Sequence, residues 1–156
     1  MNNVYQWVQG LNPKKMSAED IETISDLFYA ETGEKYSESS IRSLPVPEWE
    51  GSILLVDEQQ SIRGVLWTTI LANFTCRVVA FVISKELQNM GFGSCGWKLI
   101  VENASRHGLN LIQLEVKADN HRAIEFYKTR GLEIIQTLEG YYSTGLGYMM
   151  RGALNP

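Results

Sequence analysis

Gln88-Asn89-Met90-Gly91-Phe92-Gly93 stands directly before a segment in which Trp97, Ile100, Val101 and Ala104 recur as one helical stripe. Two glycines at the mouth of a helix let the backbone approach a ligand, and the unbonded amide hydrogens there, backed by the helix dipole, suit a diphosphate. The same residues also suit a tight turn, with Gly96 easing a close helix contact. Gly91-Phe92-Gly93-Ser94-Cys95-Gly96 fits the dinucleotide pattern GxGxxG as well, and Glu115 lies at the distance of a ribose-binding acid. Two features count against NAD: Ser84 to Met90 separates the glycines from the preceding strand, and too little chain follows Glu115 for further strand–helix–strand units. Cys76 and Cys95 are the only cysteines and form no CxxC pair, which reads as two reduced thiols. His107 and His121 are too few to build a metal site, so none is expected.

The elements that must hold the glycine loop follow from periodicity and from stop signals. Val4 to Val8 alternates loosely as a strand, and Ser17-Ala18-Glu19-Asp20 starts a helix with Ile21, Ile24, Leu27 and Phe28 on one stripe and Gly33 as its stop. A short helix from about Ser37 to Leu44 ends at Pro45 and Pro47. Ile53 to Val56 and Ile62 to Leu71 read as antiparallel strands around the turn Asp57 to Ser61. Arg77 to Ile83, nearly continuous and β-branched, reads as a central strand buried on both faces. After the loop and its helix, which Gly108 stops, Leu109 to Lys117 returns as a parallel strand, because a strand–helix–strand unit requires a crossover. Asp119 and Asn120 are cap residues for a helix from His121 to Arg130, terminated by Gly131. Leu132 to Leu138 and Tyr148 to Met150 close the chain as a hairpin.

With 156 residues, 44% of them apolar and 21% charged, the chain is expected to be one globular domain over 1–156 with neither disorder nor repeats. Its net charge of -4 argues against a nucleic-acid partner. No apolar run approaches the ~18 residues that span a bilayer, and the start has no basic, then apolar, leader pattern, so a cytoplasmic protein without a membrane partner is expected.

Gln88-Asn89-Met90-Gly91-Phe92-Gly93 resembles the Gln/Arg-x-x-Gly-x-Gly/Ala motif of the GCN5-related N-acetyltransferases. Leu114-Glu115-Val116, then Asn120-x-x-Ala123-x-x-x-Tyr127, then Gly131-Leu132 resembles that family's second signature in order and spacing. The resemblance covers roughly Ile53 to Met150 and implies a mixed α/β fold with a central, largely antiparallel sheet, one parallel strand–helix–strand unit and about four helices. It implies acetyl-CoA as co-substrate, bound where two parallel strands splay apart, and direct attack of an amine on the thioester. By the same resemblance Tyr127 is the general acid and Glu115 a proton acceptor, while the backbone of Val82 and Ile83 pairs with the pantetheine. Gln88, Asn89, Met90, Gly91, Phe92, Gly93 and Ser94 hold the diphosphate, and Asn120 caps its helix and reaches the pantetheine. Tyr141 and Tyr142 resemble the paired tyrosines that line the peptide site in the ribosomal-protein and N-terminal acetyltransferase branch, and a homodimer is expected on family grounds. Lys85, Gln88, Asn89, Gly96 and Trp97 depart from the family's usual proline, arginine and leucine choices. The loss of cations near the phosphates motivates the alternative of a non-catalytic acyl-CoA-binding module. The acceptor is left open among a protein N-terminus, a lysine and a small amine, with the acidic balance favouring a cation.

Overall fold

The computed structural model describes residues 4–142 and 145–155, with the backbone alone at 141 and 142. Ser17 and Ser37 accept hydrogen bonds from Asp20 N and Ser40 N and so cap α1 (Ala18–Thr32) and α2 (Glu38–Arg42); Gly33, left-handed at φ 75°, ends α1. Strands β1 (Gln6–Gln9), β2 (Ile53–Val56), β3 (Ile62–Leu71) and β4 (Thr75–Ile83) form an antiparallel run. Helix α3 (Phe92–Arg106) then crosses to β5 (Leu111–Lys117), which runs parallel to β4. Helix α4 (His121–Lys128), capped by Asn120, leads to the hairpin of β6 (Glu133–Tyr142) and β7 (Gly145–Ala153), and β7 inserts between β5 and β6. The sheet order is β1-β2-β3-β4-β5-β7-β6.

Two apolar clusters lie on opposite faces of this sheet. Ile100, Val101 and Ala104 of α3 and Ile124 of α4 pack with Ile112, Leu114 and Val116; Ile21, Ile24 and Phe28 of α1 pack with Val65, Trp67 and Val82. The final hairpin is longer than its sequence pattern predicts, since pairing runs from Glu133↔Arg151 to Tyr142↔Gly145 through two register shifts.

β4 departs from the sequence expectation in a way that makes the site. It pairs with β5 only at Thr75↔Leu111, Cys76↔Ile112 and Arg77↔Gln113. Beyond that point Trp67 pairs with Ala80 while Thr68 pairs with Val78, leaving Val79 as a β-bulge. A bulge bends its strand, and β4 leaves β5 where this one sits. Val79, Ala80, Phe81 and Ile83 are therefore half-buried rather than enclosed on both faces, and a cleft opens between the two strands.

Candidate active site

The cleft is continuous with two cavities that share Glu31, Phe81, Val82, Ala123 and Tyr127. The first, of about 350 Å³, is lined further by Ile83, Gln88, Asn89, Gly91, Gly93, Ser94 and Phe126. The second, of about 500 Å³, is lined further by Phe28, Glu34, Tyr36, Leu44, Glu115, Lys117 and Asp119.

At the first cavity the chain turns through two left-handed residues, Asn89 at φ 63° and Gly91 at φ 89°, before entering α3. Asparagine and glycine are the residues that tolerate this backbone. A Cβ on Gly93 would lie 3.6 Å from Ile83 Cδ1 and from Phe81 Cζ, so the glycine leaves that width of cavity open. Gln88 turns inward: its Nε2 donates to the Ile83 carbonyl at 2.8 Å and to Glu31 Oε2 at 3.3 Å, bracing the loop against β4 and α1. The far end of the loop is held by Trp7 of β1, whose Nε1 donates to the Phe92 carbonyl at 2.9 Å. The indole lies over Gly96, where a Cβ would come within 2.7 Å of its ring, so any larger residue there would displace it.

Tyr127 sits at the junction of the cavities, 7% exposed, and packs against Trp97 and Phe126. Burial pushes its hydroxyl well above the ordinary phenol value, and the negative charge of Glu31 adds to the shift while Arg122 opposes it. The hydroxyl therefore keeps its proton at any physiological pH, as a proton donor must. In the second cavity Glu115 accepts from Arg77 Nε at 3.0 Å and Arg77 Nη2 at 2.6 Å. Lys117 Nζ donates to the Thr32 carbonyl at 3.1 Å and lies 3.6 Å from Glu34, tying the end of α1 to β5.

The sequence profile of the Acetyltransferase (GNAT) family matches residues 19–132, most of the chain. The protein belongs to that family. As a GNAT acetyltransferase it transfers an acetyl group from acetyl-CoA to an amine. Ard1 from Thermoplasma volcanium is 23% identical, with a TM-score of 0.84 and coverage of 98% of this chain and 99% of that one. The ribosomal-protein-S18-alanine N-acetyltransferase from Escherichia coli is 15% identical at TM-score 0.78, covering 97% and 95%. Arabidopsis thaliana Naa50, in complex with the bisubstrate analogue CoA-Ac-MVNAL, is 16% identical at TM-score 0.75, covering 95% and 97%. Among curated proteins none matches the sequence.

Within this GNAT fold the expected residues divide between the two cavities. Val82, Ile83, Gln88, Asn89, Gly91, Gly93, Ser94 and Tyr127 line the first. Met90 is 61% exposed, and Phe92 packs its ring edge-on against Tyr5, so neither side chain is among the lining residues of that cavity. Asn120 lies at the second cavity, and its side-chain oxygen accepts from Ala123 N at 3.2 Å. Glu115 lines the second cavity as well. Tyr141 and Tyr142 end the backbone of β6, and their side chains lie outside the described residues. Glu31, Arg77, Arg122, Phe126 and the Trp7–Gly96 contact were not singled out as site features in the sequence; each acts on a partner far along the chain. The departures from the family pattern now have local causes: Asn89 takes a left-handed backbone, Gly96 admits Trp7, and Trp97 packs on Phe81, Phe126 and Tyr127.

Proposed function

We propose that the acceptor is the α-amine of a protein N-terminus, with Tyr127 as general acid and Glu115 as proton acceptor. The observation that carries this is the position of Tyr127, shared by both cavities and so beside the path of an acetyl group moving from one to the other. Glu31, Glu34, Glu115 and Asp119 outnumber Lys117 among the charges lining the second cavity, which favours an ammonium group, and Phe28, Tyr36 and Leu44 offer an apolar wall to a side chain. Similarity to N-acetyltransferases, one in complex with a CoA–peptide analogue, supports a polypeptide acceptor.

In this reading the backbone from Gln88 to Ser94 and the start of α3 hold the diphosphate, and Val82 and Ile83 pair with the pantetheine. The acceptor ammonium first loses a proton, since an α-amine has a pKa near 8. Its nitrogen then attacks the thioester carbonyl, forming the C–N bond, and passes a proton to Glu115 directly or through water. Collapse breaks the C–S bond, and the departing thiolate takes the Tyr127 proton, which solvent restores.

The test is release of CoA thiol with three acceptor sets: lysine-free peptides with a free α-amine, lysine peptides with a blocked α-amine, and small diamines. Release with the first set alone is expected. Equal or greater release with either of the others would overturn the α-amine assignment. A cytoplasmic location and a homodimer complete the reading, the latter resting on family habit and checked by sedimentation velocity.

A further inference from the structure

Arg130 follows α4 and turns back toward α3. Its Nη2 donates to Ser94 Oγ at 2.6 Å, its Nη1 donates to the Phe126 carbonyl at 3.1 Å and to Thr129 Oγ1 at 3.0 Å, and its guanidinium lies 3.5 Å from the centroid of the Phe126 ring. All of these partners are neutral. Arg130 takes part in none of the ion pairs among the described residues; Arg42, Arg63, Arg77, Arg106 and Arg122 each have a carboxylate, and Arg151, which also has none, bonds Gln113 Oε1 instead. Partial burial also pulls its pKa below the ordinary guanidinium value.

The residue it grips, Ser94, lines the first cavity and lies in the first turn of α3, whose amide hydrogens carry partial positive charge. Arg130 is not itself among the residues lining that cavity, but through Ser94 its charge is held beside the first turn of α3 with no carboxylate bonded to it, an arrangement that is stabilised when an anion arrives. Stacking on Phe126 fixes the plane of the guanidinium, and a fixed planar fork is suited to phosphate oxygens. Glu125 lines the same cavity, and Glu31, also there, is paired with Arg122 at 3.7 Å.

We infer that Arg130 is a diphosphate-binding residue for the coenzyme, supplying from the end of α4 the cation that the loop itself, with Gln88 and Asn89, does not. This rests on the acetyl-CoA reading of the first cavity. No local pattern marks the residue, because its partner Ser94 is 36 positions away.

The measurement is the Kd of CoA and of 3′-dephospho-CoA for the intact protein and for Arg130→Gln, at two ionic strengths. A hydrogen bond to a charged group contributes roughly 1.5–3 kcal/mol, so the variant is expected to bind both ligands on the order of 10-fold more weakly or worse, and with a shallower salt dependence. Arg130→Met, which keeps the packing on Phe126, should lose as much, and it replaces Arg130→Gln if that variant does not fold. Ser94→Ala, which removes only the anchor, should lose less. Unchanged affinity in both arginine variants would overturn the inference, and so would a loss confined to CoA, which would place the guanidinium on the 3′-phosphate. Intact protein that binds neither ligand would overturn the cofactor reading and this inference together, whereas intact binding with indifferent variants removes Arg130 alone.

Discussion

The two mouths of the cleft are made of different material. On the coenzyme side the shape comes from backbone: a left-handed pair at Asn89 and Gly91, an open space at Gly93 and the first turn of α3. On the acceptor side it comes from charged side chains of β4, β5 and the segment just after α1, in the pairs Arg77–Glu115 and Lys117–Glu34. A backbone site fits a co-substrate that never changes, and a side-chain site is where one substitution alters which acceptor is accepted. Tyr127 belongs to both, which makes it the residue whose loss separates binding from chemistry most sharply.

Tyr127→Phe is therefore expected to lower turnover on the order of 10²-fold while the Kd of acetyl-CoA stays within about 2-fold, because general acids contribute about 10²–10⁴ to rate. Steady-state kinetics with a direct binding titration checks this, and unchanged turnover would remove the hydroxyl from the reaction. Glu115→Gln breaks the contrast from the acceptor side. It should lower kcat/KM for the amine by about 10-fold, with little change at the coenzyme, and it should lower Tm because the half-buried Arg77 loses its carboxylate partner. An equal loss in acetyl-CoA affinity would show that the two mouths are not separable.

Gly96→Ala tests the coenzyme side without entering the cavity. The added carbon meets the Trp7 ring, the indole loses its bond to the Phe92 carbonyl, and the KM for acetyl-CoA should rise a few-fold (roughly 1 kcal/mol for one hydrogen bond) while kcat holds. A fall in kcat alone would place the Trp7 contact outside coenzyme binding. The smallest effect concerns pH. Since burial raises the Tyr127 hydroxyl above its usual value near 10, its acid form persists through the alkaline range. Turnover should climb as the amine loses its proton and show no falling limb up to about pH 10. A decline beginning near pH 9 would assign the acid role to another group.

The coenzyme side was largely legible in the sequence for the same reason that it is made of backbone. Glycine is favoured where φ is positive, so Gly91 and Gly33 announce themselves by residue type. Tyr127 and Glu115 were named through the resemblance of Leu114-Glu115-Val116 and Asn120-x-x-Ala123-x-x-x-Tyr127 to the family's second signature, and their roles remain proposals. The rest depended on contacts between distant positions: Gln88 with Glu31 across 57 residues, Trp7 with Phe92 across 85, and Arg77 with Glu115 across 38. Such pairs have no period for a single sequence to display. The strand from Arg77 to Ile83 was misjudged as enclosed because its composition is that of a buried strand, while its exposure follows from the end of its pairing with β5 at Arg77 and the bulge at Val79, facts of register that composition does not display.

Val79 has a consequence for side-chain parity. Before it, Cys76 and Val78 point to the α3 side of the sheet; after it, Phe81 does so, while Ala80 and Val82 point to the α1 side. One unpaired residue has exchanged odd for even. Drawing it into regular pairing, with the chain unchanged in length, would turn Phe81 away from Trp97 and Phe126 and put Val82 in its place, whereas deleting it would rejoin the ladder and leave both side chains on the faces they hold now. The aromatic wall beside Trp97 thus depends on one residue staying out of the ladder, which a conservative exchange of Val79 leaves intact.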